Sequence, residues 1–107
     1  MESAERIENK GSVKINYELL DRSADFLRAI NHPLRQKMIE LIDSEGKINV
    51  TKLYVTMRLE QSVASQHLSI LRKAGFLLTH REGKFIYYSV NKTKIEQANE
   101  LIVALNN

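Results

Sequence analysis

Residues 61–75, QSVASQHLSILRKAG, combine a helical period with a hard stop, and the residues after them obey a different period. Ala64, Leu68, Leu71 and Ala74 recur at steps of three and four along one stripe, while Gln61, Ser62, Ser65, Gln66, Ser69, Arg72 and Lys73 keep to the other. Gly75 supplies the left-handed residue that commonly ends a helix. Beyond it, Phe76 to His80 and Lys84 to Val90 are rich in aromatic and branched residues and are joined by "REGK", with Gly83 in the turn. That pattern predicts a β-hairpin. A two-sided helix feeding directly into a hairpin leaves few arrangements for a chain of 107 residues, long enough for one core but not for two.

Upstream, the chain reads as helices separated by clear punctuation. Asn16 is placed to cap a first helix carrying Tyr17, Leu20, Ala24, Leu27 and Ile30 on one face. Pro33 suits a first helical position with His32 at the cap, so a second helix is expected over 33–44, burying Leu34, Met38, Leu41 and Ile42 and ending before Gly46. Asn49 can cap a short third helix holding Leu53, Tyr54 and Met57, followed by a tight turn over Arg58 to Glu60. After the hairpin, Asn91 caps a last helix whose Ile95, Ala98, Ile102 and Leu105 form an apolar stripe that needs covering by the first helix or by a second subunit. The expected fold is mainly α with a β-hairpin wing, a winged helix-turn-helix domain over residues 16–107, preceded by a mobile arm at 1–15.

Charge points to the partner. Residues 47–94 hold nine Lys and Arg against two acids, Glu60 and Glu82, whereas the flanking segments are each net acidic. From Gln61 to Arg81 there is no acid at all. An ordinary solvated helix intersperses both signs to gain local ion pairs. Short hydroxyls and amides instead let a helix enter a major groove of about 12 Å, where Gln can pair bidentately with adenine. Arg81 and Lys84 at the hairpin suit phosphate or minor-groove contact. Double-stranded DNA is therefore the expected partner.

The chain has no cysteine, which excludes disulfides, thiolate metal sites and thiol redox chemistry. Apolar runs are too short for a signal peptide or a bilayer span, so a cytoplasmic protein without membrane contact is expected. The sequons at Asn49 and Asn91 read as helix caps in that setting. His32, His67 and His80 lie on different elements without ligand spacing, and no catalytic or phosphate-loop pattern is present, so neither an enzyme nor a cofactor is expected.

Three segments together resemble the ArsR/SmtB family of winged-helix repressors: LRAINHPLRQKMIELI (27–42), LEQSVASQHLSILRKAGFL (59–77) and REGKFIYYSV (81–90). The resemblance implies a homodimer joined by the first and last helices, through Tyr17, Leu20, Ile95, Ala98, Ile102 and Leu105. It implies binding to an imperfect inverted repeat in the protein's own promoter, with recognition helices in successive major grooves. Ser62, Ser65, Gln66 and His67 fall on the family's DNA-contacting positions and Arg81 and Lys84 on its wing; Gln61, Ser69 and Arg72 complete the candidate surface. His67 also borders the buried stripe. Glu60 stands where the family usually has a capping Ser.

The family's sensing positions are not retained. Asn49 and Thr51 stand where relatives carry a Cys-x-Cys pair, and Lys92, Lys94, Ala104 and Asn107 stand where others bind zinc or nickel. That set predicts no metal and no thiol switch, leaving an organic effector, a protein partner or no ligand. The alternatives are a winged-helix interaction or dimerisation module without specific DNA binding, and a MarR-like regulator, for which the chain has little dimerisation sequence.

Overall fold

A computed structural model of the chain describes residues 13–106. The expected arm at 1–15 falls largely outside the described residues; Val13 to Ile15 are exposed and without regular structure. The elements run α1 (Tyr17–Ile30), α2 (Pro33–Glu45), β1 (Ile48–Asn49), α3 (Val50–Met57), α4 (Gln61–Lys73), β2 (Leu77–Glu82), β3 (Phe85–Val90) and α5 (Lys92–Leu105).

Side-chain caps start four of the five helices. Oδ1 of Asn16 accepts from the Leu19 N–H at 2.9 Å and Oδ1 of Asn49 from the Lys52 N–H at 2.8 Å. Nδ1 of His32 accepts from the Leu34 N–H at 3.1 Å, with Pro33 behind it. Asn91 both accepts from the Lys94 N–H and donates from Nδ2 to the Gly75 carbonyl at 3.0 Å, tying the start of α5 to the end of α4. Helix α4 starts at Glu60 with no side-chain cap, as a long acidic side chain in place of a short hydroxyl would dictate.

The end of α4 is a Schellman turn. The Phe76 N–H donates to the Leu71 carbonyl at 2.9 Å and the Gly75 N–H to the Arg72 carbonyl at 3.0 Å, while Gly75 takes φ +90°. The turn aims Phe76 into the core, where its ring stacks on Phe26 with centroids 4.7 Å apart. Met38, Ile42, Ile48, Leu53, Leu68 and Leu71 are the other large side chains that are fully buried.

The sheet is three-stranded and antiparallel in the order β1-β3-β2. Its hairpin closes tighter than the sequence suggests: Glu82 pairs with Phe85, so Arg81 and Glu82 are strand residues and only Gly83 and Lys84 turn. Gly83, at φ +64°, occupies the first of the two turn positions, the place where such a turn needs a residue free of Cβ. Strand β1 was not expected. Two residues carry no periodicity, and Ile48 and Asn49 become a strand only by pairing with Tyr88 and Tyr87.

Three packing expectations need correction. In α2 the buried residues are Arg35, Met38 and Ile42, with Leu34 and Leu41 only partly covered. In α1 the expected stripe is covered only toward its C-terminal end: Tyr17, Leu20 and Ala24 are exposed, Leu27 is half-buried, Ile30 packs against the core as expected, and Phe26 and Ala29, outside the stripe, face the core as well. In α5, Ala98 is fully buried within its own chain and Ile95 packs against the core, so neither belongs to an exposed face; Ile102 and Leu105 do.

Leu71 and Ile70 are adjacent yet 0% and 41% exposed. Leu71→Ala is expected to cost about 2–5 kcal/mol through the cavity it leaves, and Ile70→Ala about 1 kcal/mol or less. Urea unfolding of both variants reads the difference directly, and equal costs would place α4 in the wrong rotation.

Candidate nucleic-acid interface

Ala64, Leu68 and Leu71 anchor α4 and turn its other side outward. Gln61, Ser62, Ser65, Gln66, Arg72 and Lys73 are exposed, and Ser69 is half-buried at the stripe's edge. Helix α3 precedes it through a sharp connection in which Arg58 holds the left-handed conformation, φ 56°, and the Leu59 N–H donates back to the Tyr54 carbonyl at 2.9 Å. This is a helix-turn-helix whose second helix presents hydroxyls and amides along its length and cations in its last turn, where the helix dipole favours them.

His67 meets Arg35 through one of its two ring nitrogens. Nδ1 accepts from Nη1 of Arg35 at 3.1 Å, which leaves the proton on Nε2. The ring lies 4.9 Å from that of His32, tilted by 56°. Partial burial is the main cause that holds its pKa below the ordinary 6.5, with the neighbouring His32 and Arg35 charges acting the same way. The neutral form that Arg35 needs as an acceptor is thus the form the site favours.

Arg35, which positions α4, is the residue the sequence does not single out. It is 8% exposed. Its Nε donates to the Ala29 carbonyl at 2.6 Å and its Nη2 to the Arg28 carbonyl at 3.1 Å. These are last-turn carbonyls of α1, at the negative end of that helix. One guanidinium therefore fixes α1 to α2 and both to α4. The signal was present, because Arg35 shares the stripe of Met38 and Ile42; its charge argued against burial.

On the wing, Lys84 sits in the turn, whereas Arg81 lies in β2 opposite Ile86 and reaches the Gly83 carbonyl at 3.5 Å. Both are exposed. Glu82, the acid nearest the tip, is engaged by Lys47 and by Nε2 of His80 at 3.1 Å. The Lys47 hydrogen bond is the main cause that holds the Glu82 pKa below its ordinary value. Lys47 also lies 5.0 Å from the Tyr87 ring centre. Local pairing thus offsets the wing's one acid, and Arg81 and Lys84 keep their positive sign at the surface.

Among the described residues, no group of three or more His, Cys, Asp or Glu could hold a metal ion, and no helix is long and apolar enough to cross a membrane. Lys92 faces Asp43 at 3.7 Å, and Lys94 lies 5.6 Å from the Phe26 ring centre.

The fold and this surface define a winged helix-turn-helix domain of the DNA-binding class. No protein-family model matches the chain. It is 36% identical over 89 residues to the transcriptional repressor PagR of Bacillus anthracis, covering 83% of this chain and 89% of PagR. The crystal structure of PagR superposes with a TM-score of 0.65, covering 81% of this chain and 99% of that one. The arsenic resistance transcriptional regulator ArsR2 of Pseudomonas putida is 30% identical, covering 73% of this chain and 68% of ArsR2. The solution structure of a homodimeric winged helix-turn-helix DNA-binding domain from Mycobacterium bovis, 22% identical, superposes with a TM-score of 0.72, covering 90% of this chain and 89% of that one. The chain belongs to the ArsR family of winged helix-turn-helix transcriptional regulators.

The depressed His67 pKa makes a signed prediction. Between the folded value and 6.5 the unfolded chain binds more protons, so the stability His67 contributes is complete above pH 6.5 and is lost as pH falls through the folded value. His67→Gln is expected to flatten the loss of stability on going from about pH 7.5 to about pH 5.5, measured by urea midpoints. An unchanged acid slope would mean His67 is not the titrating group.

Proposed function

We propose that the protein is a homodimeric, sequence-specific repressor acting on an imperfect inverted repeat in its own promoter. The observation that carries this reading is the exposed, acid-free stripe of α4, backed by a wing whose free charges are positive. In this reading Gln61, Ser62, Ser65, Gln66 and Ser69 read base edges in the major groove, His67 offers its Nε2–H, and Arg72, Arg81 and Lys84 bind phosphates or the minor groove.

The dimer is supported by a surface the chain leaves uncovered. Tyr17, Leu19 and Leu20 on α1 and Ile102, Val103 and Leu105 on α5 are 41–65% exposed. Burying them against a second copy removes apolar area from water and sets two α4 helices on one side of a two-fold axis, which a palindromic site requires. The likeness to the homodimeric Mycobacterium bovis domain supports the dimer, and the likeness to the repressor PagR supports repression. The likeness to transcriptional repressors argues against an enzyme. No metal or other cofactor is invoked.

Fluorescence anisotropy against the upstream DNA and a scrambled duplex at two salt concentrations tests the proposal. Preference for the upstream DNA at physiological salt is expected. Replacing Ser65 and Gln66 by alanine is expected to relax that preference by about 1–3 kcal/mol per lost base contact. Lys84→Ala is expected to weaken both duplexes alike and lower the salt slope by about 1. Equal binding to both duplexes by the unaltered protein would overturn sequence-specific repression in favour of a non-specific basic module.

A further inference from the structure

Behind α4, on the flank facing α1, lies a cleft of about 620 Å³ that the DNA-binding reading does not use. The size falls in the range of small-molecule sites. Its apolar surface comes from Phe26 and Ala29 of α1 and Ile70 and Ala74 of α4. Ile70 is notable because it is a large apolar residue, 41% exposed, on a helix whose other exposed positions are polar or cationic.

Charge around the cleft is one-sided. Arg22, Arg28, Arg35 and Lys73 line it against a single acid, Asp25, which is occupied by Arg28. Among the described residues, neither Arg22 nor Lys73 has an ion-pair partner. Arg35 forms a buried wall. Of the five N–H donors a guanidinium carries, three are engaged, by the Ala29 and Arg28 carbonyls and by His67. The other two have no partner among the described residues.

We propose that this cleft is the binding site of an organic anion with a flat or branched apolar body, its carboxylate held by Arg22, Lys73 and the free edge of Arg35. The apolar walls take the body of the ligand, and three cations of fixed sign select the anion over a neutral isostere. No metal takes part, in keeping with the residues at the family's sensing positions. The consequence for DNA rests on the repressor reading. Arg35 touches the ligand on one side and His67 on the other, and Ile70, Lys73 and Ala74 are α4 residues, so an occupied cleft biases the seating of α4 and with it DNA affinity.

The test uses naphthalene-2-carboxylate as probe and the corresponding carboxamide as the neutral control. Binding is followed by isoleucine and alanine methyl shifts of the full chain, with operator affinity measured separately by anisotropy. Saturable binding of the carboxylate is expected to shift the Ile70, Ala29 and Ala74 methyls. The carboxamide is expected to bind about ten-fold more weakly. Arg22→Glu and Ile70→Asp, both at exposed positions, are each expected to weaken carboxylate binding by about ten-fold or more. Retained helical circular dichroism and cooperative unfolding would show that these variants fold. Operator affinity of the unaltered protein is expected to change when the probe saturates.

Three results would overturn the site: no saturable binding, equal binding of acid and amide, or binding indifferent to both variants; binding that leaves the affinity for a bound operator unchanged would overturn its coupling to DNA. Loss of DNA affinity in Arg22→Glu without any probe binding would assign the rim to DNA phosphates instead. The methyl shifts need no DNA, so a protein that takes the probe but binds no operator would refute the repressor reading and leave the anion site standing.

Discussion

The seating of α4 against the rest of the domain depends on one buried cation without a carboxylate. Arg35 comes from α2, ends α1 by donating to the Ala29 and Arg28 carbonyls, and holds α4 through His67. A guanidinium taken out of water is costly unless its donors are satisfied. Here the negative end of α1 supplies two acceptors and a neutral imidazole supplies a third. Lysine could not replace it, because only a planar fork reaches carbonyls on one helix and a ring on another at once. The Phe26–Phe76 stack does the complementary apolar work, joining α1 to the turn that ends α4.

That arrangement explains why α4 can be so polar on its outer side. An isolated helix of 13 residues with three serines, no side-chain cap and no acid for its cations would be marginal at best. It is held instead by Ala64, Leu68 and Leu71 beneath it, by the Schellman turn at its end and by the Asn91 bridge to α5. The surface is thereby free to follow the demands of a polyanion rather than those of helix stability. The lone αL arginine at position 58 belongs to the same logic, since a sharp turn there sets the angle between α3 and α4.

Local signals made most of the fold legible in the sequence. Asn16, His32, Asn49 and Asn91 cap where expected, Gly75 and Gly83 adopt positive φ, and the two-sided pattern of 61–75 gives the rotation of α4. What was not legible depends on partners far along the chain. Strand β1 exists only against Tyr87 and Tyr88. The burial of Arg35 is tolerable only because the end of α1 is beside it. Ala98 reads as part of an α5 stripe, yet its small side chain is taken into the core while Ile102 and Leu105, on the same stripe, are left outside. Periodicity assigns residues to a face of a helix but does not say how far along the helix that face stays covered.

The same limit separates the two uncovered regions of the molecule. Tyr17, Leu19 and Leu20 of α1 and Ile102, Val103 and Leu105 of α5 are large apolar residues left exposed. The cleft between α1 and α4 has apolar walls, but its rim carries unbalanced positive charge. A symmetric copy would have to bring acids to that rim, whose own acid, Asp25, is already taken by Arg28. Helix α1 thus has two regions with different demands, one apolar and exposed and the other rimmed by cations. Arg35 lies where the second region meets the recognition helix, so a single residue links ligand charge to DNA affinity.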